Sequence, residues 1–526
     1  MYALRHFLSR LWPLCVSVWL ACACGGQLVA GLGEVQTMTQ AAETTLTSPP
    51  VTPTTTLAAK LIQPAQVAGT WYPADPAELT RTIDGMLAAV EPVDGRPIAL
   101  IVPHAGYVFS GGVAAYAFRQ LQGQTYDTAV IIASDHQLPV SKPISIWPAG
   151  GFATPLGVVP VDDQLASALM ATEPRIKDDR AAFAGEHVIE IELPFLQRSC
   201  PACRIVPLLM GSDDDQTVQA LAKALIEVLS GRQALIIASS DLSHYPSRQD
   251  AQQIDAATLT AIETGDAAQV RAAIRHSMQA GYAGLATCAC GEAAILVAMQ
   301  AATGLGADTV SVLHYANSAD SEYGDASQVV GYGAVMFWRY QPPELGEAQR
   351  RELLRLARAT VGDYLQTGHI PDYQTDDPAL ARRSGVFVTL KENGELRGCI
   401  GQLRANHPLY RAVQEMAVAA ATADTRFMAL TSEELERVRF EISILSPMRR
   451  ISDPGQIEIG IHGLLISKYG HQGVFLPQVP VEQGWTSREQ CLDQLCLKAG
   501  LPAGCWREHA ALYTFTALVI AEEASL

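Results

Sequence analysis

Five continuously apolar segments recur between residues 97 and 337, and helical segments separate them. Strands that face water on one side alternate polar and apolar residues, whereas continuous apolar runs are typical of strands covered on both faces. Strands that alternate with helices favour a mostly parallel sheet wrapped by helices. We therefore predict an α/β domain, with a central sheet covered by helices, over residues 61–340. Its expected strands are PIALIVP (97–103), TAVIIAS (128–134), RIVPLLMG (204–211), QALIIASS (233–240) and VVGYGAVMF (329–337).

The first helix of this domain carries a start signal. Asp75 can cap the helix, Pro76 suits its first position, and Glu78 follows three residues after the cap. The sequence therefore predicts a helix that begins after Asp75 and packs one side against the sheet. The apolar residues on that side are Leu79, Ile83, Met86, Leu87 and Val90.

A second, smaller module follows the segment YQPPELGEAQR (340–350), which looks like a domain boundary. Within it, two strand-like runs in GVFVTLKENGELRGCIG (385–401) flank Asn393 and Gly394. Asn-Gly between such runs is a strong signal for a β-hairpin. With the helical and strand-like stretches around it, this pattern predicts an α+β domain over residues 345–523.

Residues 1–24 have the pattern of an export signal. Two arginines precede the apolar run 11–23, which is short for a membrane span, and small residues follow it. Cys24, followed by two glycines, resembles the lipid-modified cysteine of bacterial lipoproteins, although Ala21 stands where Leu is usual. Cys22 is a weaker candidate. Residues 25–60 are rich in Thr and Pro and predict a disordered tether. We expect an exported protein, periplasmic or held at the membrane by a lipid anchor on Cys24; the alternative is an uncleaved hydrophobic N-terminus.

The charge of the chain argues against binding to nucleic acid. The chain has 54 Asp and Glu residues against 37 Lys and Arg, which gives a net charge of −17. The sequence shows no basic stripe. Nucleic-acid binding would therefore lack its usual electrostatic source.

Two of the eleven cysteines are close in sequence, in the segment CPAC (Cys200 and Cys203). This spacing suits a redox pair, a disulfide or two ordinary thiols, and a lone C-x-x-C does not decide among them. Export would permit a disulfide.

Polar side chains follow three of the expected strands at the points where they end. His104 follows the first strand, His136 the second, and Asp241 and His244 the strand at 233–240. Ligands of open α/β sheets bind at the carboxyl ends of the strands. We therefore expect these side chains to meet at one edge of the sheet and to form the functional site.

Neutral imidazoles suit iron, copper or zinc, and a third ligand is needed beside two of them. The segment ATCACGEAA offers Cys290, with Cys288 and Glu292 alongside, and Glu292 competes with Cys290 for this role. Glu186 and His187 lie in AGEHVIEIELPF. They either hold the imidazoles by hydrogen bonds or belong to a solvated acidic face.

Five motifs occur in an order that resembles the Memo family, whose bacterial members are called AmmeMemoRadiSam system protein B. The resemblance covers about residues 65–338 and implies a fold like that of the class III extradiol dioxygenases. The motifs are GTWYP (69–73), PHAGYVFSG (103–111), GEHVIEIELPF (185–195), SSDLSHY (239–245) and CG (290–291).

Carried over motif by motif, the resemblance implies that His104, His136 and Cys290 are the metal ligands. It implies His244 as an acid/base group, with Asp241 beside it. Related dioxygenases have a carboxylate where Memo-like proteins have the cysteine, so dioxygenase activity is not implied. The segment ASDH departs from the family's usual Gly-Pro-Ser/Asn-His, which puts the turn before the second histidine in doubt.

The second module resembles the AMMECR family, also called AmmeMemoRadiSam system protein A. The motifs GVFVTLKENGELRGCIG, AATADTRF, EISILSP and GVFLPQV carry this resemblance. Many microbes encode these two families together with a radical SAM protein, which implies such a protein as a partner. In LRGCIG, Cys399 is the chemical candidate and Arg397 suits an anion. Alternatively, Cys399 packs as a small hydrophobe at a strand end.

Two functions follow from these observations. The first is a metal-dependent oxidoreductase, dioxygenase-like, that holds iron or copper (or zinc) and uses His244 as acid or base. The second is a non-enzymatic metal-handling or scaffold protein that partners a radical SAM protein. The sequence leaves open whether the protein is an enzyme, and it does not identify a small-molecule substrate.

Overall fold

A computed structural model of the chain describes residues 61–136, 142–342, 344–508 and 510–522. The expected export signal, the tether and Cys24 lie outside these residues. No helix in the described ranges is long and apolar enough to cross a membrane.

The described part of residues 61–340, which we call the first domain, contains an eight-stranded sheet and a three-stranded sheet. Its strands are β1 (Ile62–Gln63), β2 (Pro97–Val102), β3 (Thr128–Ser134), β4 (Ile144–Ile146), β5 (Gly151–Thr154), β6 (Gly157–Pro160), β7 (Ile176–Asp178), β8 (Arg204–Met210), β9 (Ala234–Ser239), β10 (Thr309–Asn317) and β11 (Gly331–Trp338). Its α-helices are α1 (Pro76–Ala88), α2 (Tyr107–Phe118), α3 (Asp163–Thr172), α4 (Leu193–Ser199), α5 (Asp215–Leu229), α6 (Arg248–Glu263), α7 (Ala267–Gln279) and α8 (Glu292–Gly304).

The large sheet has the strand order β10-β11-β2-β9-β3-β8-β4-β7. The four strands β2, β9, β3 and β8 are adjacent and parallel, and they correspond to four of the five predicted apolar runs. The fifth run forms β11, which is antiparallel to β2. The predicted α/β class, a central sheet covered by helices, is confirmed.

Two apolar cores lie on the two faces of this sheet. Val130 and Ile132 of β3 belong to one core, and Ile131 and Ala133 belong to the other, because successive side chains of a strand point to opposite faces. Helices α5 and α8 cover the first core, and α1, α2 and α4 cover the second. Coverage on both faces explains why these strands are continuously apolar in sequence.

Helix α1 begins where its start signal predicts. The Asp75 side chain accepts a hydrogen bond from the backbone N–H of Glu78 at 2.8 Å, and Pro76 occupies the start of the helix. Its buried residues are Leu79, Ile83 and Leu87, which face the sheet.

Where the structure describes it, the second domain has two four-stranded antiparallel sheets with helices, in the orders β13-β12-β14-β19 and β15-β18-β16-β17. Its strands are β12 (Gly385–Glu392), β13 (Glu395–Gln402), β14 (Val438–Leu445), β15 (Arg449–Ile451), β16 (Gly463–Lys468), β17 (His471–Phe475), β18 (Ala511–Phe515) and β19 (Ala517–Ala521). Its α-helices are α9 (Glu347–Thr367), α10 (Pro378–Ala381), α11 (Leu409–Thr422), α12 (Ser432–Leu435), α13 (Gln478–Glu482) and α14 (Arg488–Lys498).

The predicted hairpin joins β12 to β13. Asn393 and Gly394 have φ values of 53° and 87°, and two successive positive φ angles are those of the two-residue turn that Asn-Gly favours. The turn brings Glu392 opposite Glu395 and sets the register of the strands. The α+β class predicted for this domain is confirmed.

Each domain contains one disulfide among the described residues. Cys200 is joined to Cys203 and Cys496 to Cys505. The CPAC segment therefore holds a closed disulfide, which was one of the three alternatives that its spacing left open. Cys290 and Cys399 are free thiols.

Candidate metal centre

Three side chains with metal-binding atoms converge at the carboxyl edge of the parallel strands. His104 lies two residues after β2, His136 two residues after β3, and Cys290 two residues before α8. Their ligand atoms all lie within 4.8 Å of one another. We call these three residues the His/His/Cys group.

His104 is held in a defined orientation. Its backbone N–H donates to Asp241 Oδ1 at 2.8 Å, and its ring Nδ1 lies 2.9 Å from Ser239 Oγ. Its Nε2 lies 3.2 Å from Cys290 Sγ. Burial lowers the pKa of His104 to about 3, so the ring is neutral near pH 7 and offers one lone pair.

The contacts of Ser239 favour one tautomer of His104. Ser239 Oγ lies 2.8 Å from both the carbonyl of Val188 and Glu192 Oε1. A serine hydroxyl has a single hydrogen, and a carbonyl oxygen can only accept. All three contacts are satisfied when Ser239 donates to Val188 and accepts from a protonated Glu192 and from His104 Nδ1. This arrangement leaves the Nε2 lone pair of His104 facing Cys290.

Glu192 is suited to the protonated form. It is 1% exposed, and burial raises its pKa well above the ordinary value. A buried neutral carboxylic acid that donates a hydrogen bond avoids the cost of burying a charge.

Cys290 reaches the group because its loop approaches the end of β9 closely. The N–H of Gly291 donates to Ser240 Oγ at 2.9 Å. A Cβ at position 291 would lie 2.6 Å from Ser240 Cβ and 2.7 Å from the Ser239 carbonyl oxygen, so only glycine fits. Burial raises the pKa of the Cys290 thiol, which keeps it protonated unless a cation is bound.

Glu186 contacts two of the imidazoles. One of its carboxylate oxygens accepts from the backbone N–H of His136 at 2.9 Å and lies 3.6 Å from its Nδ1. The other lies 3.3 Å from His187 Nδ1. Burial would raise the pKa of Glu186, but the hydrogen bonds to His136 lower it to about 2. The contact between the Glu186 carboxylate and the imidazole of His136 raises the pKa of His136.

These contacts distinguish the two interpretations of the Glu186 segment. Glu186 is buried and holds imidazoles, so it does not belong to a solvated acidic face. Glu190 is also buried but binds elsewhere, to the Tyr72 hydroxyl and to the backbone N–H groups of Gln66 and Val67. Residues 185–189 are not helical, so these two carboxylates, four positions apart in sequence, do not lie on one helical face.

His187 adds a third imidazole on this side of the group. Its ring centroid lies 5.6 Å from that of His104 and 6.1 Å from that of His136. Trp71 covers it, with the two centroids 4.1 Å apart. Burial lowers the pKa of His187 to about 4. Trp71 lies in the GTWYP motif, whose sequence gave no reason to assign it a role in the site.

His244 and Asp241 lie beside the group. His244 Nε2 is 4.0 Å from Asp241 Oδ2; it is buried, and no residue in the described ranges forms a hydrogen bond with it. The backbone N–H of His244 donates to Thr287, which ties its loop to the segment that leads to Cys290. Burial lowers the pKa of His244 and raises that of Asp241 to about 6.

The structure places Glu292 in an ion pair rather than in the metal-binding group. Its Oε1 lies 2.9 Å from Arg271 Nη1, whereas the converging ligand atoms are those of the His/His/Cys group. Of the two candidates for a third ligand, the geometry favours Cys290.

The candidates in the second domain have partners of their own. Arg397 forms an ion pair with Glu434 at 3.1 Å. Cys399 Sγ accepts from the Thr389 hydroxyl at 3.3 Å, and its backbone N–H donates to Asp424. Asp424 is itself paired with Arg426 at 2.7 Å. Burial raises the pKa of Cys399, which does not favour a reactive thiolate.

Fold and site together define an α/β domain with a His/His/Cys group at its strand ends, followed by an α+β domain. The family model described as Memo-like protein matches residues 63–336, and the model described as AMMECR1 matches residues 354–520. The chain belongs to the Memo family and carries an AMMECR1 domain in the same polypeptide.

Three relatives and one solved structure each match part of this chain. MEMO1 family protein MK0963 of Methanopyrus kandleri is 36% identical over 289 residues, which are 52% of this chain and 98% of the relative. A MEMO1 family protein of Ignicoccus hospitalis is 32% identical over 290 residues, 53% of this chain and 99% of the relative. Protein MK0488 of Methanopyrus kandleri is 41% identical over 181 residues, 32% of this chain and 87% of the relative. The crystal structure of the uncharacterised protein PH0010 from Pyrococcus horikoshii is 38% identical and covers 34% of this chain and 94% of its own, with a TM-score of 0.33.

Proposed function

We propose that the first domain binds an iron or copper ion through His104, His136 and Cys290. The observation that carries this proposal is the convergence of their ligand atoms within 4.8 Å, from three separate segments of the chain. Two imidazoles and a thiol are a donor set that suits iron, copper or zinc. Membership of the Memo family supports the same assignment.

The surroundings of the three residues fit a metal ion. The hydrogen bond from Nδ1 to Ser239 directs the free nitrogen of His104 toward Cys290, and such bonds commonly orient imidazole ligands. The buried Cys290 thiol has a raised pKa, and a cation would stabilise its thiolate. A bound iron or copper ion would supply Lewis acidity and one-electron chemistry toward dioxygen or a substrate oxygen.

We propose a non-haem, metal-dependent oxidoreductase as the activity, with His244 as the acid or base. The buried Nε2 of His244 has no hydrogen-bond partner among the described residues, so it is free to exchange a proton with a ligand beside the group. Asp241 contributes by fixing the backbone of His104 and by its proximity to His244. The alternative is a metal-handling protein without turnover, because the same three ligands would also serve storage or transfer.

Metal analysis of protein purified without oxygen tests the site. We expect about one metal ion per chain in the wild type and loss of that ion in His104→Ala and Cys290→Ala. Cys288→Ala is the matched control, because Cys288 is a buried free cysteine two residues from Cys290 and lies outside the His/His/Cys group. Unchanged metal content in both site variants would contradict the proposal.

A comparison of His244→Gln with the wild type distinguishes enzyme from metal handler. Dioxygen consumption by the metal-loaded wild type in the presence of an oxidisable substrate, lost in His244→Gln, would support the oxidoreductase. Metal that passes to an acceptor protein or chelator at equal rates in both proteins, without dioxygen consumption, would support metal handling.

We also propose that the protein is exported and anchored through Cys24. The disulfides Cys200–Cys203 and Cys496–Cys505 in the described part of the chain support this proposal because disulfides persist in oxidising compartments. Mass spectrometry of the mature N-terminus tests it: a lipid-modified Cys24 is expected, and an unmodified residue after a cut elsewhere excludes the anchor.

The fusion of the two domains suggests a role in the AmmeMemoRadiSam system, with a radical SAM protein as partner. If that partner is cytosolic, its iron–sulfur cluster and reductant would be in a different compartment from the exported protein. Fractionation of both proteins from the same cells, followed by co-purification, tests these two proposals together. Co-purification from one compartment would support the partner, and separate compartments without co-purification would exclude it.

A further inference from the structure

A cleft lies at the amino-terminal ends of the parallel strands, opposite to the ends that carry the His/His/Cys group. Its volume is about 800 Å³, and Ile98 and Ala234, near the starts of β2 and β9, line it. The His/His/Cys group lies beyond the other ends of these strands. A strand of six residues is about 20 Å long, so the two sites are distinct.

Arginine dominates the charge of this cleft. Four arginines and a single acidic residue are among its lining residues, which leaves a net charge of about +3 at neutral pH. The whole chain has a net charge of −17. A cleft with four arginines is therefore opposite in charge to the protein as a whole. We call Asp94, Arg96, Arg232, Arg339 and Arg382 the arginine cleft.

The guanidinium groups of the arginine cleft are held in place. Arg96 donates to the Thr125 carbonyl at 3.0 Å and to Gln233 Oε1 at 2.6 Å, and it lies over the Tyr126 ring. A guanidinium group fixed in this way loses less conformational entropy when a ligand binds.

Arg232 and Arg339 are fixed by backbone carbonyls. The Nε of Arg232 donates to Val228 at 2.9 Å, and the Nε of Arg339 donates to Gly306 at 2.8 Å. A guanidinium group has five N–H donors. These bonds therefore orient the arginines and still leave them donors to offer to a ligand.

Both domains contribute to the arginine cleft. Arg382 comes from the second domain and pairs with Asp94 of the first at 3.2 Å, and the backbone N–H of Arg383 donates to the same carboxylate at 2.9 Å. Pro378 and Ala381 of the second domain also line the cavity. A ligand bound here would contact both domains.

We propose that the arginine cleft binds a small, multiply charged oxyanion, bearing either phosphate or carboxylate groups. Guanidinium forks match the paired oxygens of both groups. A ligand with about three negative charges would neutralise the cleft, and the volume admits one larger than a single phosphate. This site does not depend on metal binding at the His/His/Cys group.

Isothermal titration of the full chain with inorganic pyrophosphate, and separately with citrate, tests the proposal at low ionic strength. We expect saturable binding of one probe, weakened about 10- to 100-fold in Arg232→Gln and in the double variant Arg96→Gln/Arg339→Gln, because each loses charged hydrogen bonds. Tighter binding of pyrophosphate assigns a phosphorylated ligand, and tighter binding of citrate assigns a carboxylate ligand.

Two further variants make the test decisive. Arg355→Gln is the matched control, because Arg355 is exposed on α9 and paired with Glu352; it should bind as the wild type does. Arg232→Lys keeps the charge and should retain part of the affinity that Arg232→Gln loses. The absence of saturable binding to either probe, or equal affinity in the cleft variants and the control, would overturn the proposal.

Discussion

The Nδ1 atom of His104 lies 2.9 Å from the hydroxyl oxygen of Ser239, which in turn lies 2.8 Å from Glu192 Oε1. A candidate metal ligand is thus connected through one serine to a carboxyl group buried in the core. When Glu192 is protonated it can donate to the serine, whose own hydrogen then goes to the Val188 carbonyl. The geometry of the metal centre therefore depends on a residue that does not contact the centre.

Replacement of Glu192 tests this connection. Glu192→Gln can still donate a hydrogen bond to Ser239, so we expect metal affinity close to that of the wild type. Glu192→Leu has a similar volume but cannot donate, and we expect its affinity to fall by about 10- to 100-fold, as is usual when a partner of a metal ligand is lost. Metal titration at pH 7 measures both. Equal affinities in the Gln and Leu variants would show that the hydrogen bond has no effect on His104.

Gly291→Ala should disturb the approach of Cys290 to β9. The added Cβ would lie 2.7 Å from the Ser239 carbonyl oxygen, so the loop must shift. We expect the free energy of unfolding to fall by about 1–3 kcal/mol and the metal affinity to fall with it. Urea unfolding and metal titration measure these effects. Gly112→Ala is the control, because its Cβ meets no atom within 4 Å and a helical alanine is favourable.

His244→Gln should separate metal binding from proton transfer. His244 lies beside the His/His/Cys group but is not one of its three members, so metal content should match that of the wild type. If His244 is the acid or base, the turnover rate should fall by about 10²- to 10⁴-fold. Loss of the metal in this variant would instead make His244 a ligand.

Asp255 should make stability depend on pH. Its buried carboxyl accepts from the backbone N–H of Ser243 and from the Tyr315 hydroxyl, and burial raises its pKa from 3.8 to about 6. The folded chain therefore binds this proton more tightly than the unfolded chain. The contribution of Asp255 to the free energy of unfolding is full below about pH 4 and is lost as the pH rises to about 6.

Asp255→Asn removes this dependence and keeps an acceptor for Ser243. A pKa shift of about two units corresponds to about 3 kcal/mol. The wild type should therefore lose about that much more stability than the variant between pH 4 and pH 7. Urea unfolding at several pH values measures the difference, and identical pH profiles for the two proteins would contradict the assignment.

The sequence was sufficient to predict the two domain classes and the position of several elements. Continuous apolar runs predicted the buried strands because a strand covered on both faces has no solvent side to keep polar. Asn393 and Gly394 predicted the hairpin, since few other residue pairs adopt two positive φ angles. Asp75 and Pro76 predicted the start of α1. Each of these signals is local, so no knowledge of distant contacts was needed.

The contacts around the candidate site could be predicted only in part. That imidazoles would meet at one edge followed from their place at strand ends. The role of Glu192 could not be predicted, because its partner Ser239 lies 47 residues away in sequence. Trp71 likewise packs on His187 from a distant segment. Glu292 looked equivalent to a ligand because it is near Cys290 in sequence, but the start of α8 turns it toward Arg271.

Strand β11 runs antiparallel to β2, from the carboxyl ends of the parallel strands to their amino-terminal ends. At its start, Gly331 exchanges backbone hydrogen bonds with Leu242 and Ser243, in the loop that carries His244. At its end, Trp338 lines the arginine cleft. The eight residues of β11 are all buried, and the strand connects the candidate metal centre with the junction of the domains. A shift of β11 along its axis would move both the loop that carries His244 and the Trp338 wall of the arginine cleft. The two sites are therefore connected through one strand although they share no ligand.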